Sequence, residues 1–242
     1  MSDRSTEDAA GQEMQSGVAA VDRALNIVAV FETSDGPLTI SEISRRTGLY
    51  KSTALRLIGS LKRFGYIIHT EDGRYDLGPA VVRLAARYQH GSQIAHRIEP
   101  VLKRLVERGS ESASFFVRQD DDTRLCILRV NSNHSTLDRV TVGTVRPLDR
   151  GAGGYLFQAY GPGPHSDKVV AIREAGFAVS YCETSPDCAA VAAPVLDHKN
   201  ALVGVLQLSG PMERFTPERV EGLIVEIRAA ATEISRSFGA AI

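Results

Sequence analysis

Between Ile43 and Thr70 the chain carries Arg45, Arg46, Lys51, Arg56, Lys62 and Arg63 and not one Asp or Glu, although 28 Lys and Arg face 29 Asp and Glu overall. Fixed cations with no carboxylate between them suit a phosphate backbone, from which they release condensed counterions. A second grouping with chemical reach is Gly151-Ala152-Gly153-Gly154. If that run opens a helix, its unpaired amides and the helix dipole favour a carboxylate or phosphate; a plain structural turn is the alternative. It is not a P-loop, because no Gly-Lys-Ser/Thr follows, nor a dinucleotide fingerprint, because no βαβ unit surrounds it. Cys182 and Cys188 lack zinc-ligand spacing and the six His are scattered, so no metal is expected. No nucleophile elbow, His-Glu-x-x-His or readable carboxylate pair is present, so neither catalytic residues nor a cofactor are expected.

Composition sets the frame for these groups. With 242 residues, 43% of them hydrophobic, the chain supports one large or two modest domains, each with a full core. A net charge of −1 and a pI near 6.6 exclude diffuse polybasic binding, so any nucleic-acid contact must come from the local cluster. Three cysteines are an odd number, build no disulfide framework and suit a reducing cytoplasm. No apolar run approaches the roughly 18 to 20 residues that cross a bilayer. The acidic, polar start reads as a disordered tail over residues 1–17 rather than a signal peptide.

The basic cluster must be positioned by short elements. Val18, Val21, Leu25, Val28 and Phe31 recur at spacings of three and four, which predicts a first helix with these residues on its inner face. Ser34-Asp35-Gly36-Pro37 ends it. Thr39 and Glu42 have capping-box spacing, opening a short helix that Gly48 stops. Lys51 to Phe64 reads as a third helix with Leu55, Ile58 and Leu61 inward and Ser52, Thr53, Arg56, Ser60 and Arg63 outward. Tyr66-Ile67-Ile68 and Arg74-Tyr75-Asp76-Leu77, either side of Glu71-Asp72-Gly73, make a hairpin. This order is a winged helix-turn-helix, spanning residues 18–78. Such a domain places the start of its third helix in the major groove of double-stranded DNA. Lys51, Ser52, Thr53 and Arg56 are the candidates for base edges; Arg45, Arg46, Lys62, Arg63 and Arg74 for phosphates. The plainer alternative for such a run of charge is a solvated face, and cap, turn glycine and hairpin in this order argue against it.

A linker helix is expected over residues 79–91 and a second domain over 92–242. The latter opens with an amphipathic helix carrying Ile94, Ile98, Val101, Leu102 and Leu105, and continues with strands at Ser114–Arg118, Leu125–Val130 and Val140–Val142. Helices follow at Gly151–Tyr160 and Ser166–Ala175, strands at Val191–Leu196 and Leu202–Leu208, and a closing helix at Thr216–Phe238. The fold class is therefore α/β of the α+β type: a winged helix-turn-helix, a linker helix and a domain with a central, largely antiparallel sheet.

Over nearly its whole length after the tail the chain resembles the IclR family of bacterial transcriptional regulators. The resemblance is carried by Val21-Asp22-Arg23-Ala24-Leu25, Thr47 through Thr53, Arg56-Leu57-Ile58 and Tyr75-Asp76-Leu77-Gly78, and in the second domain by Pro147 through Gly153, Ala192 through Val195 and Leu208 through Pro211. It implies a GAF-like effector-binding domain, a small-molecule effector, a homodimer that often pairs into a dimer of dimers, and a palindromic operator. The ligand-contacting positions it implies are Gly151, Ala152, Ser180, Ala190, Gln207 and Ser209, with Cys182 expected near the same pocket. The expected function is a cytoplasmic, ligand-responsive regulator, a repressor, sensing a small organic acid; Tyr155, Phe157 and Tyr160 would suit an aromatic one, or belong to the core. The rivals are a small-molecule enzyme with an N-terminal interaction domain and a metal-sensing repressor using Cys182.

Overall fold

The computed structural model describes residues 17–32, 34, 36–91 and 93–241. The expected tail, Gly17 apart, and Asp35 of the expected turn lie outside the described residues. The chain divides after Gly91 into two compact units.

The first unit contains α1 (Ala19–Ala29), α2 (Ile40–Thr47), α3 (Lys51–Arg63), a hairpin of β1 (Ile67–His69) and β2 (Tyr75–Leu77), and α4 (Pro79–Gly91). The capping box forms: the Thr39 hydroxyl accepts from the Glu42 amide at 3.3 Å and the Glu42 carboxylate accepts from the Thr39 amide at 2.8 Å. These two bonds satisfy donors that the first turn leaves unpaired. Gly48, at φ 70°, ends α2 in the left-handed region that a side chain disfavours. Leu38 and Tyr75 exchange both backbone hydrogen bonds at 2.8 Å, tying the segment before α2 to the hairpin. The core joins Ile27, Phe31, Leu38, Ile43, Ala54, Ile58 and Ile67.

Two inward faces differ from expectation. Phe31, just beyond α1, is buried as expected, but on α1 itself the buried residue is Ile27, while Val18, Val21 and Leu25 lie exposed. Ile27 and Phe31 are four residues apart and share a stripe, so the competing apolar stripe faces out. On α3 the inward set is Ala54, Leu57, Ile58 and Leu61, and Leu55 is exposed.

In the second unit α5 (Gln93–Glu107) precedes β3 (Ser112–Arg118), β4 (Thr123–Val130) and β5 (Val145–Pro147). Next come α6 (Gly151–Ala159), α7 (Asp167–Ala175), β6 (Ala178–Tyr181), β7 (Cys188–Leu196), β8 (Leu202–Pro211) and α8 (Pro217–Ser237). The six strands form one antiparallel sheet in the order β5-β4-β3-β8-β7-β6. One face carries Phe115, Val191, Leu206 and Leu208 against Ile98 and Leu102 of α5 and Leu223, Ile227 and Ile234 of α8. The other carries Phe116, Cys126, Ala190, Ala192 and Val205 against Ala152, Leu156 and Phe157 of α6. A bulge between Phe115 and Phe116 shifts the register of β3 against β4.

The mixed architecture expected from the sequence is the one observed, with two local corrections. Val140–Val142 is not a strand: Thr144 donates its amide to the Thr141 carbonyl at 3.0 Å, Gly143 sits at φ 92°, and the strand starts only at Val145. Four residues around Ser180, not expected to pair, form β6 and close the sheet edge beside β7.

Candidate DNA-binding face and effector site

The residue before α3, Tyr50, is extended and offers no side-chain cap, so the first-turn amides of α3 have no side-chain partner. Lys51, Ser52 and Arg56 are exposed on this turn and the next, and Thr53 is half-buried beside them. Arg45, Arg46, Lys62 and Arg63 are also exposed. Arg46 donates to the Val30 carbonyl at 3.1 Å, and Arg63 lies 5.4 Å from the Phe64 ring centre. Among the described residues none of these six cations forms an ion pair, whereas Arg104, Arg129, Arg214 and Arg219 of the second unit each hold a carboxylate. Their charge is therefore available to a partner. Arg74 differs: it pairs with Asp72 at 3.2 Å and donates to the Pro37 carbonyl at 3.3 Å, which fixes it on the wing. Tyr50, 85% exposed at the mouth of α3, was not among the candidates; an aromatic directly before a basic helix start was the available signal.

Most of the implied effector residues share one face of the sheet. Ser180 on β6 lies opposite Ala190 on β7, and Ala190 opposite Ser209 on β8. The next row on the same face runs Ala178, Ala192, Gln207 and Ser114. Above them sits the start of α6, where Gly151 and Ala152 are buried. Gln207 apart, the side chains of both rows are small and keep the sheet low beneath α6. Ser209 is engaged: its hydroxyl donates to Asp138, whose carboxylate also pairs with Arg129, and Arg129 in turn donates to the Ser114 hydroxyl at 2.9 Å. Cys182, next to Glu183, is exposed just past the end of β6 at φ 55°, with its Sγ 3.1 Å from the Met212 Sδ. Phe157 belongs to the core, and Tyr155 and Tyr160 pack against that core at its margin.

Two residues that the sequence reading passed over dominate the electrostatics here. Arg124, on β4, is 2% exposed and has no carboxylate partner among the described residues. Its Nη1 donates to the carbonyls of Pro147 and Arg150, and its Nε has no acceptor among the described residues. Burial, and then the neighbouring Arg146, push its pKa down to about 10 while Asp149 acts oppositely, so it stays charged at neutral pH. The glycines of α6 make room for it. A Cβ on Gly154 would stand 2.7 Å from Arg124 Nη1, and one on Gly153 would stand 3.3 Å from Nε and 2.9 Å from Gln207 Oε1. The second residue is Glu183, whose carboxylate accepts from the Gly151 amide at 2.8 Å and the Tyr155 hydroxyl at 2.6 Å. Burial opposes its ionisation, but the Tyr155 hydroxyl, the Gly151 amide and Lys168 outweigh burial and hold its carboxyl below the ordinary value. The helix start expected to seat a carboxylate thus seats one from this chain.

Comparison with known proteins fixes the family. The model of the IclR helix-turn-helix domain matches residues 20–69, and that of the bacterial transcriptional regulator IclR C-terminal domain matches residues 165–236, together half of the chain. The chain belongs to the IclR family of transcriptional regulators. This IclR-family chain is 26% identical to the glycerol operon regulatory protein of Streptomyces coelicolor over 255 residues, covering 94% of itself and 99% of that relative. Its fold is shared with the IclR transcriptional regulator from Alicyclobacillus acidocaldarius at a TM-score of 0.79 and 24% identity, over 91% of this chain and 98% of that one. An IclR homolog from Microbacterium hydrocarbonoxydans, crystallised with 4-hydroxybenzoate, superposes at a TM-score of 0.77 and 19% identity, over 91% and 99%. The IclR-family chain is accordingly a DNA-binding transcriptional regulator. No helix among its described residues is long and apolar enough to cross a membrane, and no group of three or more His, Cys, Asp or Glu among them is placed to hold a metal.

Proposed function

We propose that this regulator binds a palindromic operator as a homodimer or dimer of dimers and releases it when a small organic acid enters the second unit. The observation that carries the DNA part is the unpaired basic face around the uncapped start of α3. Lys51, Ser52, Thr53 and Arg56 would read base edges, and Arg45, Arg46, Lys62, Arg63 and Arg74 would position the domain on phosphates. Pairing through the first unit is supported by its exposed apolar residues, Val18, Val21 and Leu25 on α1 and Val82, Leu84 and Tyr88 on α4.

The acid class is supported by the Gly151 amide, which already takes a carboxylate from Glu183. The homolog solved with 4-hydroxybenzoate makes aromatic acids the first to test. A ligand shifts operator affinity only through its differential affinity for the two arrangements of the DNA-reading units, so the effect is bounded by that difference. The test is fluorescence anisotropy of operator fragments from the chain's own locus, with and without 4-hydroxybenzoate and smaller acids. Acid-dependent release is expected; operator binding that no acid alters would overturn the effector part.

A further inference from the structure

A guanidinium buried without a counter-ion is costly, because neither water nor a carboxylate offsets its lost hydration. Arg124 is in that position. Its two described hydrogen bonds go to neutral carbonyls, which fix the plane of the group, and Asp149 offsets its charge only from an exposed side chain that pairs with Arg150. Its Nε finds no acceptor among the described residues, although it and the Gln207 amide oxygen both lie within 3.3 Å of where a Gly153 Cβ would stand. Its Nη2 would lie 3.3 Å from a Cβ on Gly151, so the guanidinium borders the very residue whose amide holds Glu183. Glu183 does not neutralise Arg124: its carboxylate is bonded to the Gly151 amide and Tyr155, with Lys168 at 3.8 Å. A cation with no ion-pair partner among the described residues and an amide holding a carboxylate therefore stand side by side beneath α6. Thr184, next to Glu183, covers Gly151 from the connection between β6 and β7, its methyl carbon 2.7 Å from where a Gly151 Cβ would stand.

We propose that Arg124 is the receptor for the effector's carboxylate, and that Glu183 occupies the neighbouring Gly151 amide until the incoming acid displaces it. The assignment rests on the organic-acid reading given above and adds to it the group that recognises the acid. The ligand class is a compact monocarboxylate whose charge goes to the guanidinium edge and the freed amide, a planar arrangement that a guanidinium recognises and an ammonium does not. Glu183 acts as a built-in competitor, lowering the apparent affinity by the fraction of molecules in which it holds the amide. Displaced, it would carry Thr184 and the rest of its connection away from the start of α6.

The experiment uses the full chain and titrates potassium formate, acetate, pyruvate, benzoate and 4-hydroxybenzoate against potassium chloride at equal ionic strength, by calorimetry, with acetamide and benzamide as uncharged counterparts. At least one acid binds and its amide does not. Arg124→Lys keeps a cation but loses the fork, and weakens that acid by about tenfold or more; Glu183→Gln tightens it severalfold. Should Arg124→Lys fail to fold, the Nε–H signal of Arg124 in protein labelled with 15N-arginine decides, since the acid must shift it in the wild type. No binding by any of the five acids, equal binding by Arg124→Lys, weaker binding by Glu183→Gln, or an unmoved Nε–H signal overturns the assignment. Operator anisotropy separates the two readings. An acid that releases operator equally from wild type and Arg124→Lys removes Arg124 and leaves the effector reading standing, while an acid that binds through Arg124 without altering operator affinity does the reverse.

Discussion

Replacing Gly154 by Ala adds one carbon where the structure has no room for it. The new Cβ would stand 2.7 Å from Arg124 Nη1 and 2.7 Å from the Leu148 carbonyl oxygen, well inside ordinary contact near 3.5 to 4.0 Å. Neither neighbour retreats easily. The Leu148 carbonyl is held by Gln158 Nε2 at 2.5 Å, and Arg124 by the carbonyls of Pro147 and Arg150. Forcing a methyl into such a site costs about 1 to 3 kcal/mol, against a gain of up to about 1 kcal/mol from exchanging Gly for Ala in a helix. With the full helix gain set against it, the net is a loss of about 0 to 2 kcal/mol, or up to roughly 8 °C in the melting transition of the second unit. Gly59 on α3 provides the opposite case, because a Cβ there meets nothing within 4 Å. Gly59→Ala should stabilise the first unit by about 0.5 to 1 kcal/mol. Both are measured by calorimetric or circular-dichroism melts of the full chain. A Gly154→Ala protein more stable than wild type, as Gly59→Ala should be, would refute the claim that Arg124 is fixed against α6.

Three further outcomes follow from named contacts. Thr39→Ala removes the cap of α2 and should cost the first unit about 1 kcal/mol, seen as a lower denaturant midpoint at unchanged slope. A carboxyl held below its ordinary value, as that of Glu183 is, contributes stability above the unfolded value of 4.5 and gives it up as pH falls through the folded value. Glu183→Gln should therefore flatten the acid limb of the melting temperature below pH 4.5, and an unchanged limb would mean the Gly151 amide bond is worth nothing. Arg56→Ala should weaken operator binding by about 1 to 3 kcal/mol and relax preference at one base position if that guanidinium bonds a base edge; systematic base substitution in the operator checks it.

What the sequence revealed, and what it did not, follows from range. The capping box at Thr39 and Glu42, the stop at Gly48 and the hairpin are governed by neighbours a few residues apart, and all three were legible. The inner face of α1 was not. Phe31 was read correctly, but two apolar stripes compete on that helix, and only packing in the core with Leu38, Ile43 and Ile58 selects Ile27 over Val21 and Leu25. β6 escaped because four residues at a sheet edge carry too little alternation to declare a strand. At the effector site the Gly-rich start of α6 was visible as an anion seat, but its occupant, Glu183, lies 32 residues further on. Arg124 left only one sign: an arginine placed two residues before the buried Cys126, on the side of β4 that faces the core. The cross-strand rows that unite Ser180, Ala190, Gln207 and Ser209 depend on strand order, which local patterning does not specify.

The central claim, that the unpaired cations around α3 grip duplex DNA, is tested most directly by the salt dependence of binding to a promoter fragment from the chain's own locus. Each phosphate contact should add about 0.9 to the negative slope of log affinity against log salt. Reversing charge at Arg45 and Lys62, both assigned to phosphates, with Glu should lower that slope along with the affinity. A measurable affinity with a steep slope that falls in the doubly substituted protein is the predicted result; an affinity indifferent to salt, or unchanged by the two substitutions, would contradict it.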